Sequence, residues 1–136
     1  MIICRKINSE RELKDSNSIL KNSNIIETEH SKEDIKYILI EDNDVKGVCR
    51  VLYDNSIGLL DYIVIDKKEI GSNLGDALLR ATFNNCLNNG IKKIYFKDKD
   101  IYLLKKGFKE KHTLYEGVNY LIEIDLEDFF SIPCKH

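Results

Sequence analysis

Hydrophobic positions along the chain switch period once, near its middle. Leu74, Ala77, Leu78 and Ala81 recur at helical spacing and continue toward Cys86 and Leu87, and Asn89-Gly90 supplies a stop, so one well-written amphipathic helix is predicted there. Before it the pattern is that of strands. Residues 37–41, 45–53 and 57–65 are three β-rich runs separated by Asp42-Asn43-Asp44 and Asp54-Asn55-Ser56, turn chemistry that predicts an antiparallel meander. Residues 2–7 read as a short strand. Ser9-Glu10-Arg11-Glu12-Leu13 reads as a helix start with a capping serine and early acids. Residues 17–34 are polar and weakly periodic, which predicts short helical pieces and a loop. After the helix come a strand over 91–97, a short helix over 100–106 closed by Gly107, and a strand over 108–114. A turn at Glu116-Gly117 then leads into a strand over 118–126, where Tyr120, Ile122, Ile124 and Leu126 alternate with Glu123 and Asp125. The order is an α/β mixed sheet, antiparallel strands around a central strand-helix-strand unit.

Composition adds bounds to this picture. A chain of 136 residues with 43% hydrophobic and 32% charged residues suits one core, so a single domain over 1–136 is predicted. The net charge of -2 lacks the basic excess that phosphate-backbone binding prefers, so nucleic acid is not an expected partner. No apolar run approaches the ~20 residues of a membrane helix. The opening Met1-Ile2-Ile3-Cys4-Arg5-Lys6 brings charge too early for a signal peptide, so a cytoplasmic, membrane-free protein is expected. Cys4, Cys49, Cys86 and Cys134 contain no Cys-x-x-Cys, and His30, His112 and His136 are scattered, so no metal site is expected.

The chemistry concentrates between Asp61 and Leu79. There an apolar strand runs into a small-residue turn, Ile70-Gly71-Ser72-Asn73-Leu74-Gly75, that opens directly into the helix. The unpaired N–H groups of a helix's first turn make such a mouth a site for anions. It is not a P-loop, since no Gly-Lys-Ser/Thr follows, and it is not Gly-x-Gly-x-x-Gly, since only Gly71 and Gly75 are present. Glycine spacing alone leaves phosphate binding and a plain tight turn both open.

These residues resemble the GNAT acetyltransferase superfamily over roughly 45–126. Its pyrophosphate loop, Gln/Arg-x-x-Gly-x-Gly/Ala, aligns with 70–75, and Ile63-Val64-Ile65-Asp66 looks like the strand end before it. Asp76-Ala77-Leu78-Leu79 looks like the helix start after it, and Leu103-Leu104-Lys105-Lys106-Gly107-Phe108 like the family's Tyr-x-x-x-Gly-Phe. Three departures stand out. Ile70 replaces the arginine or glutamine. Asn73 replaces the first glycine, asparagine being the residue after glycine that best tolerates a left-handed backbone. Leu103 occupies the tyrosine position, with Tyr102 one step and about 100° of helix away.

The resemblance implies an N-acetyltransferase that moves acetyl from acetyl-CoA to an amine on a small molecule or peptide. Ile63, Val64 and Ile65 would hold the pantetheine and thioester by main-chain groups, and Gly71, Ser72, Asn73, Leu74, Gly75 and Asp76 the diphosphate. Tyr102 is the candidate acid for the leaving thiolate and is expected to point away from the family hydroxyl's place. Asp61 is the first carboxylate to test as a general base, ahead of Glu41 and Tyr62. Lys67 and Lys68 are candidates for attracting the cofactor, and Cys49 matters only if it lines the cleft. The alternative is a catalytically degenerate GNAT-fold module that binds CoA or a partner. A homodimer through an open edge of the last strand is a further expectation.

Overall fold

Seven strands pair into one mixed sheet in the order β1-β2-β3-β4-β5-β7-β6, in a computed structural model that describes residues 1–29, 31–69 and 71–131. The strands are β1 (Ile2–Lys6), β2 (Glu33–Glu41), β3 (Asp44–Asp54), β4 (Ile57–Ile65), β5 (Lys93–Phe96), β6 (Lys109–Tyr115) and β7 (Val118–Asp125). The helices are α1 (Glu10–Asn22), α2 (Leu74–Asn88), α3 (Ile101–Lys105) and α4 (Leu126–Ser131). His30, Ile70, Cys134 and His136 lie outside the described residues. Neighbouring strands are antiparallel except β4 and β5, which run parallel because α2 crosses over between them.

The predicted elements are present, with four instructive differences. Ser9 caps α1, its side chain accepting the Glu12 N–H, and Glu12 in turn grips Arg5 at 2.6 Å. That helix then runs unbroken to Asn22, and β2 starts at Glu33. Only Ser16, Ile19 and Leu20 of α1 are buried, too thin a stripe to mark the helix in sequence. The last strand stops at Asp125, whose side chain accepts the Asp128 N–H and so opens α4. Strand β7 is not an edge: it lies between β5 and β6, with both sides paired, so the expected open edge for a homodimer is filled within the chain.

Helix α2 covers one face of the sheet. Phe83 sits at the centre of that layer, fully buried, with Phe108 and Phe129 at ring-centroid distances of 6.1 and 5.5 Å. Burial of a side chain this size contributes about 1.5–3 kcal/mol. Helix α1 covers the other face, laying Ile19 and Leu20 on Ile38, Val48, Tyr62 and Val64. Strand β4 therefore runs through the middle of the molecule with a packed layer on each side.

Candidate functional site

Two irregularities in β4 shape the site. Arg50 pairs with Tyr62 and Val51 with Leu60, so Asp61 is an extra residue, the bulge of this ladder. The bulge resets the alternation of side chains: Leu60, Ile63 and Ile65 face the α2 layer, while Tyr62 and Val64 face α1. On its other side β4 pairs with β5 only as far as Leu59 and Tyr95, although β4 continues to Ile65. Among the described residues this backbone edge meets no strand from residue 60 onward, which leaves a gap between the two parallel strands.

A cavity of about 310 Å³ lies where β4 hands over to α2. Ile63 and Ile65 form its apolar side, Gly71, Ser72, Asn73 and Gly75 its mouth, and Tyr102 and Lys106 come across from the α3 corner. The left-handed residue of this turn is Gly71, with φ 96°, while Asn73 has φ -82° and needs no such tolerance. Asn73, the N-cap of α2, makes no side-chain capping bond, so its side chain leaves the first-turn N–H groups uncapped at the mouth. Val64 and Leu74 are buried in the cores and offer only main chain here.

Three acids also border the cavity, and each is engaged. Glu69 holds Lys46 at 2.7 Å, and Asp100 caps α3 by accepting the Leu103 N–H at 2.9 Å. Asp76 accepts from Lys106 at 2.8 Å and from Arg80 at 3.1 Å. Burial alone would raise the Asp76 pKa, but the bonds from these two cations outweigh it and leave the carboxyl below its ordinary value. At the mouth, Glu69 and Asp76 are thus neutralised by cations, while Asp100 is turned to its capping bond.

Tyr102 faces the cavity. Its hydroxyl rests against Gly75, so close that a Cβ added there would stand 2.8 Å from the phenol oxygen. Burial, and then the charge of Asp76, push this phenol up to about 12. Leu103, at the position aligned with the family tyrosine, is instead 1% exposed in the main core. The short α3, capped by Asp100, is set so that residue 102 reaches the cavity and residue 103 fills the interior.

On the opposite face of β4 the other candidates form a separate polar cluster. Asp61 pairs with Arg50 at 2.9 Å, and it accepts both the Thr28 N–H at 3.1 Å and the Thr28 hydroxyl at 2.7 Å. The Tyr62 hydroxyl donates to Glu27 at 2.6 Å, and Lys36 approaches the same carboxylate at 2.8 Å. Burial would raise Glu27, yet these hydrogen bonds hold it below the usual carboxylate range, while burial and the Glu27 charge push the Tyr62 phenol up. Glu41 ends β2 at the hairpin opposite Asp44, and Lys67 and Lys68 are exposed on a 3-10 turn. Cys49 is fully buried and its thiol is pushed up to about 12 by burial, so it faces no cleft as a nucleophile. Among the described residues no cluster of His, Cys, Asp and Glu suits a metal ion.

Sequence reasoning passed over Lys106, Arg50 and Thr28. Arg50 had a visible signal, a guanidinium inside the apolar run Val48-Cys49-Arg50-Val51-Leu52. Lys106 and Thr28 had none, because their places depend on where α3 and the connection after α1 fold back.

No protein-family model matches the chain, and no curated protein matches it. Solved structures do. An acetyltransferase assigned to the GNAT family from Desulfovibrio desulfuricans aligns with a TM-score of 0.74, covering 93% of this chain and 99% of that one at 13% identity. The chain has the GNAT acetyltransferase fold. PaiA N-acetyltransferase from Thermoplasma acidophilum, in complex with coenzyme A, shares that GNAT fold with a TM-score of 0.63 and 13% identity, over 92% of this chain and 99% of that one. N-acetylglutamate synthase from Neisseria gonorrhoeae, complexed with coenzyme A and N-acetyl-glutamate, gives a TM-score of 0.70 at 13% identity. The match spans 93% of this chain but only 35% of that longer protein.

Proposed function

We propose that this protein is an N-acetyltransferase that uses acetyl-CoA and an amine acceptor. One observation carries the reading: β4 leaves its ladder with β5 after Leu59 and ends in a cavity at the uncapped start of α2. The residues present fit the cofactor. First-turn N–H groups and the Gly71 turn suit a diphosphate, Ile63 and Ile65 suit an apolar pantetheine arm, and the neighbouring Glu69 and Asp76 are already paired with cations. The coenzyme A complexes of two structural neighbours support the same cofactor.

Bound acetyl-CoA would supply a thioester: transfer of its acetyl group to a neutral amine forms an N–C bond and breaks the C–S bond, the amine losing one proton to water, which restores the protein's donor, and the leaving sulfur taking one from that donor. Tyr102 is the protein's proton donor for that last event: its hydroxyl lies inside the cavity, and its high pKa keeps it protonated through the neutral range. The free edge of β4 near Ile63 offers main-chain groups to polarise a carbonyl. Asp61 has both oxygens engaged and serves to hold and orient. A cytoplasmic setting agrees with Cys4, Cys49 and Cys86 being free thiols. Among the described residues no helix is long and apolar enough to cross a membrane.

The rival reading, a CoA-binding module without turnover, rests on Leu103 filling the core where the resemblance puts a catalytic phenol. The first experiment is a thermal shift with CoA and acetyl-CoA. A ligand at a hundredfold excess over Kd adds about 2.7 kcal/mol to stability. No shift at millimolar ligand refutes both readings, whereas a shift without thiol release across a panel of amines leaves the binding module.

A further inference from the structure

The Asp61 and Arg50 side chains treat Thr28 of this chain as a receptor treats a ligand. Asp61 takes the main-chain N–H and the hydroxyl of Thr28 at 3.1 and 2.7 Å, and Arg50 Nη1 donates to the Thr28 carbonyl oxygen at 2.9 Å. An acid and a base thereby read the N–H and the C=O of one residue, two groups separated by a single Cα. Both side chains are largely buried, Asp61 to 8% and Arg50 to 13% exposure, and Arg50 is further fixed by Asp34 at 2.8 Å. Thr28 itself is exposed and belongs to a connection without helix or strand. The ion pair joins β3 to β4, and Thr28 belongs to the connection between α1 and β2.

The ion pair lies beside the gap that opens where β4 leaves β5. Asp61 is the bulge of β4, just past the last β4–β5 pair and two residues before Ile63 of the cavity, on the opposite face of the sheet. We infer that Asp61 and Arg50 form the acceptor site, selective for amines with a carbonyl on the adjacent carbon, and that Thr28 fills it as an internal stand-in until the acceptor displaces it. The acceptor class is the α-amino acid amide or peptide N-terminus. Its ammonium group replaces the Thr28 N–H on Asp61, and its carbonyl replaces the Thr28 C=O on Arg50. A polyamine or aryl amine has nothing to give Arg50. A free amino acid fits less well than an amide, because Asp61 and Asp34 already balance the Arg50 charge. The inference rests on the acetyltransferase reading for what happens to the bound amine, but not for the binding itself.

The experiment therefore reads binding. The protein is titrated with alaninamide and with isopropylamine, which carries a methyl group where the carboxamide stands, while NMR follows chemical shifts and the Thr28 amide exchange rate. A hydrogen bond to a charged group corresponds to about tenfold or more in affinity, so alaninamide binds at least about tenfold more tightly than isopropylamine. Alanine falls between them, and exchange at Thr28 accelerates as alaninamide saturates. Arg50→Lys, which loses the planar fork, abolishes the preference while the CoA thermal shift persists. Equal affinity for the two amines, or alaninamide binding that leaves the Thr28 amide protected, overturns the inference, and the wild-type comparison stands however the variant folds. Displacement of Thr28 by alaninamide without any CoA thermal shift would keep the acceptor site and refute the transferase. A CoA shift with no amide preference would refute only the acceptor site.

Discussion

Replacing Gly75 by alanine separates the fold from the site with one methyl group. Gly75 lies in the first turn of α2, where alanine is favoured over glycine by up to about 1 kcal/mol. Against this, the new Cβ would stand 2.8 Å from the Tyr102 hydroxyl oxygen, 3.4 Å from its Cζ and 3.7 Å from Ile65 Cγ1. Only the first contact is prohibitive, and it belongs to the tip of a side chain that is 38% exposed and free to swing outward. Moving the ring off its preferred angle costs about 0.5–1.5 kcal/mol. The two effects nearly cancel, so calorimetry should find Tm within about 4 °C of wild type. In a Tyr102→Phe background the obstructing oxygen is gone, and the same substitution should recover most of its helical gain, a coupling of about 1 kcal/mol in the double-mutant cycle. The phenol supplies an independent reading. Burial pushes Tyr102 up to about 12, so in Gly75→Ala the ultraviolet titration should show it descending toward its ordinary 10.0. Additive mutations together with an unmoved titration would refute the seating of Tyr102 on Gly75.

Two further outcomes follow from the same corner. Leu103→Tyr, which would restore the family residue, should not rescue anything: a larger, polar side chain at a 1% exposed core position costs about 1–3 kcal/mol, and wild-type stability in denaturant would contradict that. Tyr102→Phe should lower turnover by about 10² to 10⁴ while leaving CoA affinity intact, and an unchanged rate would remove Tyr102 from the chemistry. Because the phenol is raised rather than lowered, its protonated form persists as pH climbs, and the wild-type rate profile should show no falling limb from this group below its ordinary 10.0.

Helix α2 was legible because it keeps one period over its length, and β4 because it is a β-rich run bounded by turn residues, predicted to its observed ends despite the bulge inside it. The meander was legible because Asp42, Asn43 and Asn55 take positive φ, as residues of that type do at no great cost. What escaped depends on distant contacts. The weak stripe on α1 becomes a helix through its cap and through packing on β2, β3 and β4. The orientation of Tyr102 escaped for a similar reason: aligning a motif fixes which residue is offset but not how a five-residue helix is rotated. Here Asp100 at the cap and Leu103 in the core set the rotation, and they bring the offset tyrosine into the cavity. The Asp61 cluster was invisible because its ligand, Thr28, lies in a segment with no pattern at all.

The bulge at Asp61 explains how one strand serves both sides of the site. A regular strand shows alternate residues to alternate faces, so a β4 that places Leu60 in the α2 layer would turn Ile63 and Ile65 toward α1. The cavity would then lose its apolar side, and Tyr62 and Val64 would leave the core that α1 covers. One extra residue resets the period, keeping Leu59 and Leu60 correctly placed before it and Ile63 to Ile65 correctly placed after it. On the other edge of β4 the ladder with β5 ends at Leu59, two residues before the bulge at Asp61. Its side chain is forced onto the same face as Tyr62, where Arg50 across the ladder supplies the charge that makes a buried carboxylate tolerable. The insertion that makes the packing consistent is thus also what sets a paired acid and base on the far face of the strand from the cavity.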